Sequence, residues 1–291
     1  MAWGSLQLAA CALLFGSTFL VMKQAVALVQ PLTFLALRFG FAALVLWPLA
    51  RRRTRTPGEL RHGALAGVAL LCGYVLQVMG LQHTSSSRSA FITYLLIVLV
   101  PIMEAVVLRR RLRATTVLGV VVALVGLVLL ADPGAGSGRG FGSGEVLTLL
   151  CAFAFGAHIV ILDRYAHRHD PIRLTQVQLL VVTVCCAVGA AVFGVGPLGA
   201  GSAWVAIIYS GAMATAVAFV LMVSGQRVVP ASRVALILLL EPVSAAVLGY
   251  LAGDRIGARG MFGAVVILFA IVISVRSRRP DPDAASATGV S

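Results

Sequence analysis

Residues 233–251 read RVALILLLEPVSAAVLGYL, and this stretch decides the fold. It is almost wholly apolar and long enough to cross a bilayer. Yet Glu241 and Pro242 sit inside it. At the rise of an α-helix, Glu241 lies about 12 Å along the helix from Arg233, close to the midplane of a hydrocarbon layer. A carboxylate there costs roughly 2.5–3.5 kcal/mol on insertion scales. Pro242 has no N–H, frees a carbonyl one turn back and kinks the helix. Such a helix is tolerable only where its polar side faces protein or water. The stretch therefore predicts a membrane protein with a polar interior.

The rest of the chain agrees. Of its 291 residues 60% are hydrophobic and only 11% charged, with a mean hydropathy of +1.00. Soluble domains carry about 25% charged residues, so an ordinary cytosolic globule is excluded. The net charge of +13 does not indicate nucleic acid, because the arginines cluster between apolar runs and accompany no nucleic-acid-binding motif. The first apolar run has span length and no basic segment before it, unlike a cleavable signal. Five cysteines, at 11, 72, 151, 185 and 186, all fall in apolar runs without metal-binding spacing, which suits packing. No metal and no cofactor are expected. HExxH, GxSxG and GxxxxGK[ST] are absent, so the chain is not expected to be an enzyme or to bind ATP.

Ten apolar runs occupy residues 3–22, 31–50, 63–81, 89–108, 114–131, 144–162, 172–193, 203–224, 234–251 and 258–275. Their length is that of spanning helices. Short connections predict one compact bundle, and the Pro/Asp/Ala/Ser-rich tail at 280–291 reads as disordered. With the N-terminus inside, seventeen Lys or Arg residues fall in inside segments and five in outside ones. That bias predicts cytoplasmic termini at both ends; the expected location is the cell's inner membrane. Trp47, Trp204 and Tyr250 suit an aromatic belt.

The chain also repeats. Phe15-Gly16 matches Phe155-Gly156, Ala12 matches Ala152, and Pro31 matches Pro171, each pair 140 residues apart. Further on, Ser87-Arg88-Ser89-Ala90-Phe91 matches Ser232-Arg233-Val234-Ala235-Leu236, and Gly119 matches Gly263. A Gly-rich segment at 132–144 joins the halves. Five spans are an odd number, so the second half enters the membrane from the opposite side. An inverted-topology repeat of this kind is typical of secondary transporters. The expected units are 1–136, 137–279 and the tail 280–291.

Several segments together resemble the EamA type of the drug/metabolite transporter superfamily. They are Leu14-Phe15-Gly16-Ser17-Thr18-Phe19, Pro31-Leu32-Thr33-Phe34-Leu35-Ala36-Leu37-Arg38-Phe39, residues 80–91 and Val100-Pro101. In the second half they are Pro230-Ala231-Ser232-Arg233-Val234-Ala235 and Glu241-Pro242-Val243. The resemblance covers nearly the whole chain. It implies an all-α membrane protein, ten transmembrane helices in two inverted five-helix repeats around a central cavity. It also implies export of small metabolites, amino acids or drug-like compounds. One departure stands out: the first-half counterpart of Glu241-Pro242 is Leu96-Ile97, so only the second half carries the deep acid.

Each candidate residue has two readings. Glu241 binds a proton or a cationic substrate, or it stabilises the break at Pro242. Arg38, about 10 Å into its span, attracts an anion or pairs with an acid, or snorkels to the interface. Arg88 and Arg233 open corresponding helices, where a cation opposes the dipole and needs a compensating partner. They gate, or they anchor to the interface; Pro101 and Pro242 join them as gating or structural residues. Tyr74, Gln77, Thr93, Tyr94, Tyr209 and Met213 line the cavity or serve helix contacts. His158 relays protons or hydrogen-bonds within the bundle. His167 and His169, with Asp163 and Asp170, read as solvated loop charges. Glu104 reads as a salt bridge to Arg109–Arg111. The expected partners are a small-molecule substrate, the lipid bilayer and protons, with no nucleic acid. Alternatives in the same fold are a lipid flippase and a non-transporting scaffold or sensor.

Overall fold

The computed structural model describes residues 2–17, 29–84, 86–112, 114–131, 142–198, 201–251 and 257–276. Within these, all regular structure is helical. The first half comprises α1 (Ala2–Ser17), α2 (Pro31–Ala50), α3 (Glu59–Leu81), α4 (Ser86–Tyr94), α5 (Leu96–Val107) and α6 (Ala114–Ala131). The second comprises α7 (Ser143–Tyr165), α8 (Pro171–Phe193), α9 (Gly201–Gly211), α10 (Ala218–Gln226), α11 (Ala231–Leu238), α12 (Leu240–Leu251) and α13 (Ala258–Arg276). A π-helical turn, Ala212–Val217, joins α9 to α10.

Ten spans are expected from the sequence; eight described helical segments are long and apolar enough to cross a membrane. The remaining two apolar helices, Ala2–Ser17 and Ala258–Ser274, are shorter. The first run is described only as far as Ser17, and the tail at 280–291 and most of the joining segment, 132–141, lie outside the described residues. Burial follows the logic of a bilayer. Phe34, Phe39, Leu70, Ile97 and Leu174 fill the interior, while Leu44, Val106, Phe193, Phe262 and Phe269 point outward. An outward apolar shell costs nothing where hydrocarbon is the solvent. Trp47 and Tyr250, near helix ends, are exposed as well.

Local signals start the helices where the sequence places them. Pro31 occupies the first turn of α2, and Gln30 accepts a bond from Thr33 N. Pro171 does the same for α8, where Asp170 accepts from Ile172 N and Arg173 N. Proline fits there because its missing N–H is one that a helix start leaves unused. The two starts also reach across in matching ways. Thr33 Oγ1 donates to Val195 O beyond α8, and Arg173 donates to Ala50 O at the end of α2.

Small residues set the helix contacts. A methyl group at Gly80 would stand 2.6 Å from Thr148 Oγ1 and 3.1 Å from Gly144 O. One at Gly225 would stand 2.6 Å from Leu8 and 2.8 Å from Gly4 O. So α3 lies on α7 much as α10 lies on α1. Likewise Gly16 abuts Ser244 and Ala245 of α12, and Gly156 abuts Val100 and Met103 of α5. Close backbone approach through small residues is the usual basis of helix association in lipid.

Two segments of span length are broken: α4 from α5 at Leu95, and α11 from α12 at Leu239. Pro242 accounts for the second, since it has no N–H to offer Leu238 O. The chain tightens there, with Leu239 N donating to Leu236 O at 3.2 Å. The start of α3 and the ends of α2, α5, α7 and α10 share one face with the starts of α8 and α11, through bonds among Ala50, Glu59, Glu104, Asp163, Arg173 and Ser232 and the contact of Gly4 with Val228. This face carries Arg51, Arg52, Arg53, Arg61, Arg110, Arg168 and Arg173. The starts of α4 and α7 meet at the opposite one.

Candidate functional site

The site is built from the two helix breaks. Tyr94 is the last residue of α4, directly before the break at Leu95; Glu241 lies in the first turn of α12, directly after the break at Leu239. The Tyr94 hydroxyl donates to the Glu241 carboxylate. Glu241 is half-buried, and Gly16 of α1 lies against its carbonyl. Arg38, Tyr74 and Cys11 complete its electrostatic neighbourhood.

Arg38 is 2% exposed, which overturns the snorkelling alternative. Its Nε donates to Thr215 Oγ1 at 2.8 Å, and its Nη2 donates to Ala214 O at 3.4 Å. Both acceptors belong to the π-helical turn. A π turn adds a residue and leaves backbone carbonyls open to other donors, which is why it recurs at functional positions. The guanidinium also lies 5.7 Å from the centre of the Phe39 ring and 5.6 Å from that of Tyr74. A cation over an aromatic face is attracted by the ring quadrupole.

Aromatic rings pack beside Arg38 and against one another. Tyr74 meets Phe39 and Phe155 edge-on, with centroids 5.0 and 5.3 Å away. Phe219 meets Phe15 at 5.4 Å and Phe39 at 6.3 Å. The Thr93 hydroxyl, beside Tyr94, is buried with the Cys151 thiol as its neighbour. His158 and Tyr209 already have hydrogen-bond partners, and the His158 ring meets Phe219 edge-on at 6.1 Å. His158 Nε2 shares a proton with Gln178 Oε1 at 2.7 Å, and Tyr209 shares one with Ser17 Oγ at 3.0 Å. Gln77 is half-buried one turn along α3 from Tyr74, and Met213 is 40% exposed. Of the residues named from sequence, the structure thus gathers Glu241, Arg38, Tyr74 and Tyr94. Thr215, Phe39, Phe155 and Phe219 complete the group; nothing in their spacing distinguishes them from packing residues.

The remaining charged candidates lie nearer the two faces. Arg88 pairs with Glu145 at 3.2 Å, and Thr84 Oγ1 donates to the same carboxylate at 2.6 Å. The helix start at Arg88 therefore has the compensating acid it needs. Arg233 lies in the first turn of α11 on the opposite face, and Pro101 is buried within α5. Glu104 meets Arg110 but also accepts from Ser232 N at 2.8 Å. Two residues depart from the solvated-loop expectation. His169 is 3% exposed, with Nδ1 bonded to Thr56 Oγ1 at 2.6 Å and Nε2 to His62 Nδ1 at 2.8 Å. Burial pushes His169 below the usual histidine range; the charges of His62, Arg168 and His167 add to this and Glu59 opposes it. Asp163 is 8% exposed and bonds Ala231 N and Arg110. Among the described residues no three of His, Cys, Asp or Glu converge as a metal site.

Comparison with known proteins completes the picture. Residues 2–131 and 142–276 match the model of the EamA-like transporter family. An uncharacterized transporter of Archaeoglobus fulgidus is 32% identical over 185 residues, 64% of this chain and 57% of that relative. A second from the same organism is 27% identical across 95% of this chain and 97% of its own length. The uncharacterized transporter YyaM of Bacillus subtilis is 23% identical, covering 88% of both chains. A solved crystal structure superposes with a TM-score of 0.81 over 94% of this chain and 99% of its own, at 20% identity, and so shares the fold. The chain is a multi-pass membrane transporter and belongs to the EamA-like transporter family.

Proposed function

We propose that the protein is a secondary or facilitative exporter of small amphipathic metabolites, amino acids or drug-like compounds carrying an amino group, working by alternating access. The observation that carries this reading is the Glu241 carboxylate, held by Tyr94 across two helix breaks within the electrostatic reach of Arg38, whose guanidinium lies against the Phe39 and Tyr74 rings. An ammonium group suits Glu241 and the faces of Tyr74 and Tyr94; a carboxylate or other acceptor suits Arg38. The buried Thr93 hydroxyl, which has only the weak Cys151 thiol beside it, offers one more polar contact. A few placed polar groups in an apolar pocket are what fix a ligand's orientation. Protonation of Glu241 in place of the cation would couple export to a proton gradient.

The scaffold reading is ten crossings in two inverted repeats, 1–136 and 137–279, with both ends in the cytoplasm of a cell whose inner membrane holds the protein. Support comes from the contacts repeated at 140 to 145 residues: Gly80 on Gly144 and Thr148 beside Gly225 on Gly4 and Leu8, and Thr33 to Val195 beside Arg173 to Ala50. The arginines at one face support the orientation.

The test is counterflow in proteoliposomes. Vesicles loaded with unlabelled amino acids and polyamines are challenged with trace labelled compounds across pH 5.5–8. The wild type is expected to concentrate one or more labels, and Glu241→Gln to lose at least tenfold in rate together with its pH dependence. No flux of any probe by the wild type, or a Glu241→Gln variant with an unchanged profile, would reject the reading.

A further inference from the structure

The first turn of α11 has no cap of its own. Every helix start leaves backbone N–H groups without partners. They are usually satisfied by a side chain at the N-cap. Here the N-cap is Pro230, whose side chain accepts nothing. The acceptors come instead from two other helices. Asp163 Oδ1, at the end of α7, takes the Ala231 N–H at 3.1 Å. Glu104 Oε2, on α5, takes the Ser232 N–H at 2.8 Å and the Ser232 hydroxyl as well. Arg110 then binds the two outer oxygens, Asp163 Oδ2 at 2.6 Å and Glu104 Oε1 at 3.4 Å. Glu104 and Asp163 are buried, whereas the Arg110 side chain is 51% exposed. Two carboxylates are held against a helix N-terminus, where the dipole favours negative charge.

The other halves of these two broken spans, α4 and α12, are joined at the site. α5 follows the break at Leu95, and Tyr94 stands just before that break. α11 precedes the break at Leu239, and Glu241 stands just after it. From Tyr94 to Glu104 is about 15 Å of helix, and from Glu241 back to Ser232 about 14 Å. The antiparallel half-helices α5 and α11 thus form a closed frame of nearly equal arms. One end is the Tyr94–Glu241 bond; the other is the Glu104–Ser232 bond at the Arg-rich face.

We propose that Glu104 and Asp163, bridged by Arg110, are the gate of the Arg-rich face, and that α11 is the lever linking this gate to Glu241. The inference rests on the transporter reading above. A ligand ammonium that takes Glu241 from Tyr94 releases one end of the frame. The arms then turn at Leu95 and Leu239, and the cap at the other end is lost. Water enters through the half-exposed Arg110. When the ligand leaves, the two carboxylates recapture the α11 N–H groups and the face closes.

The experiment reads access rather than transport. Cys151 on α7 is buried and lies in the electrostatic neighbourhood of Tyr74. In a background with Cys11, Cys72, Cys185 and Cys186 replaced by alanine, it is the sole thiol. Its labelling by a membrane-impermeant methanethiosulfonate is followed separately in right-side-out and inside-out vesicles. Glu104→Gln/Asp163→Asn is expected to raise the rate at least tenfold in the vesicles exposing the Arg-rich face, and less than twofold in the other. Ser232→Ala, a milder change that keeps every charge, is expected to give about a threefold rise with the same sidedness, and stands alone if the double variant does not fold. An unchanged rate, or a rise of equal size from both sides, overturns the gate. The labelling needs no substrate. A sided rise without flux in the counterflow assay therefore upholds the gate and rejects the transport reading alone.

Discussion

A guanidinium buried among helices is tolerated only where its N–H groups find acceptors. Arg38 has this from Thr215, Ala214 O and the faces of Phe39 and Tyr74. Hydrogen bonds to charged groups contribute about 1.5–3 kcal/mol each. Thr215→Val is therefore expected to lower the melting temperature of the purified protein in detergent and to slow transport, while Thr215→Ser retains both. Equal melting temperatures for Thr215→Val and wild type would deny that bond its role. That an arginine stands inside a span is legible from the sequence. Its direction is not, because a long stem reaches either the interface or the interior, and the acceptor is 177 residues away. Glu104 is similar: the nearby arginines announce a salt bridge, but Ser232 lies 128 residues on and no local pattern points to it.

Among the elements, the broken spans differ in how openly they declare themselves. Pro242 marks the break at Leu239. The break at Leu95 carries no such sign, since Pro101 lies well inside α5 and acts on the turn before itself. Gly16 brings α1 against α12 at this point, and a methyl group there would stand 1.9 Å from Ser244 Oγ and 2.7 Å from Glu241 O. Ser244 Oγ can turn away, but the carbonyl cannot. Gly16→Ala should thus destabilise by roughly 1–3 kcal/mol, an overpacking cost, and weaken transport by displacing Glu241. Thermal unfolding in detergent and counterflow measure the two effects. The connection between α7 and α8 gives a pH effect of defined sign. His169 is held below the usual histidine range by burial, so the unfolded chain binds its proton more readily. Its contribution to stability is present above about pH 6.5 and is lost as pH falls toward the folded value. His169→Gln should flatten the decline in melting temperature between about pH 6.5 and 5; a slope as steep as that of wild type would assign the decline elsewhere.

For the whole molecule, composition and apolar runs suffice to announce a membrane bundle, because lipid permits few alternatives. The way that bundle closes is not legible, since it depends on contacts between helices more than a hundred residues apart. Reporter fusions at both ends are expected to be cytoplasmic, alkaline phosphatase silent and green fluorescent protein bright. A fusion after Gly142, at the start of α7, should show the reverse. Ends on opposite sides would dismantle the ten-crossing reading.

The π turn has one more consequence. It gives Arg38 its dock on the second half of the chain, whereas Gln178, 140 residues beyond Arg38, is neutral and bonds His158 instead. The acid has the opposite history: Glu241 stands where the first half has Leu96. Each half therefore donates one ion and lacks the other. A tandem of two first halves would enclose paired cations, and a tandem of two second halves paired anions. At this site the two halves of the chain are therefore complementary in charge, not equivalent.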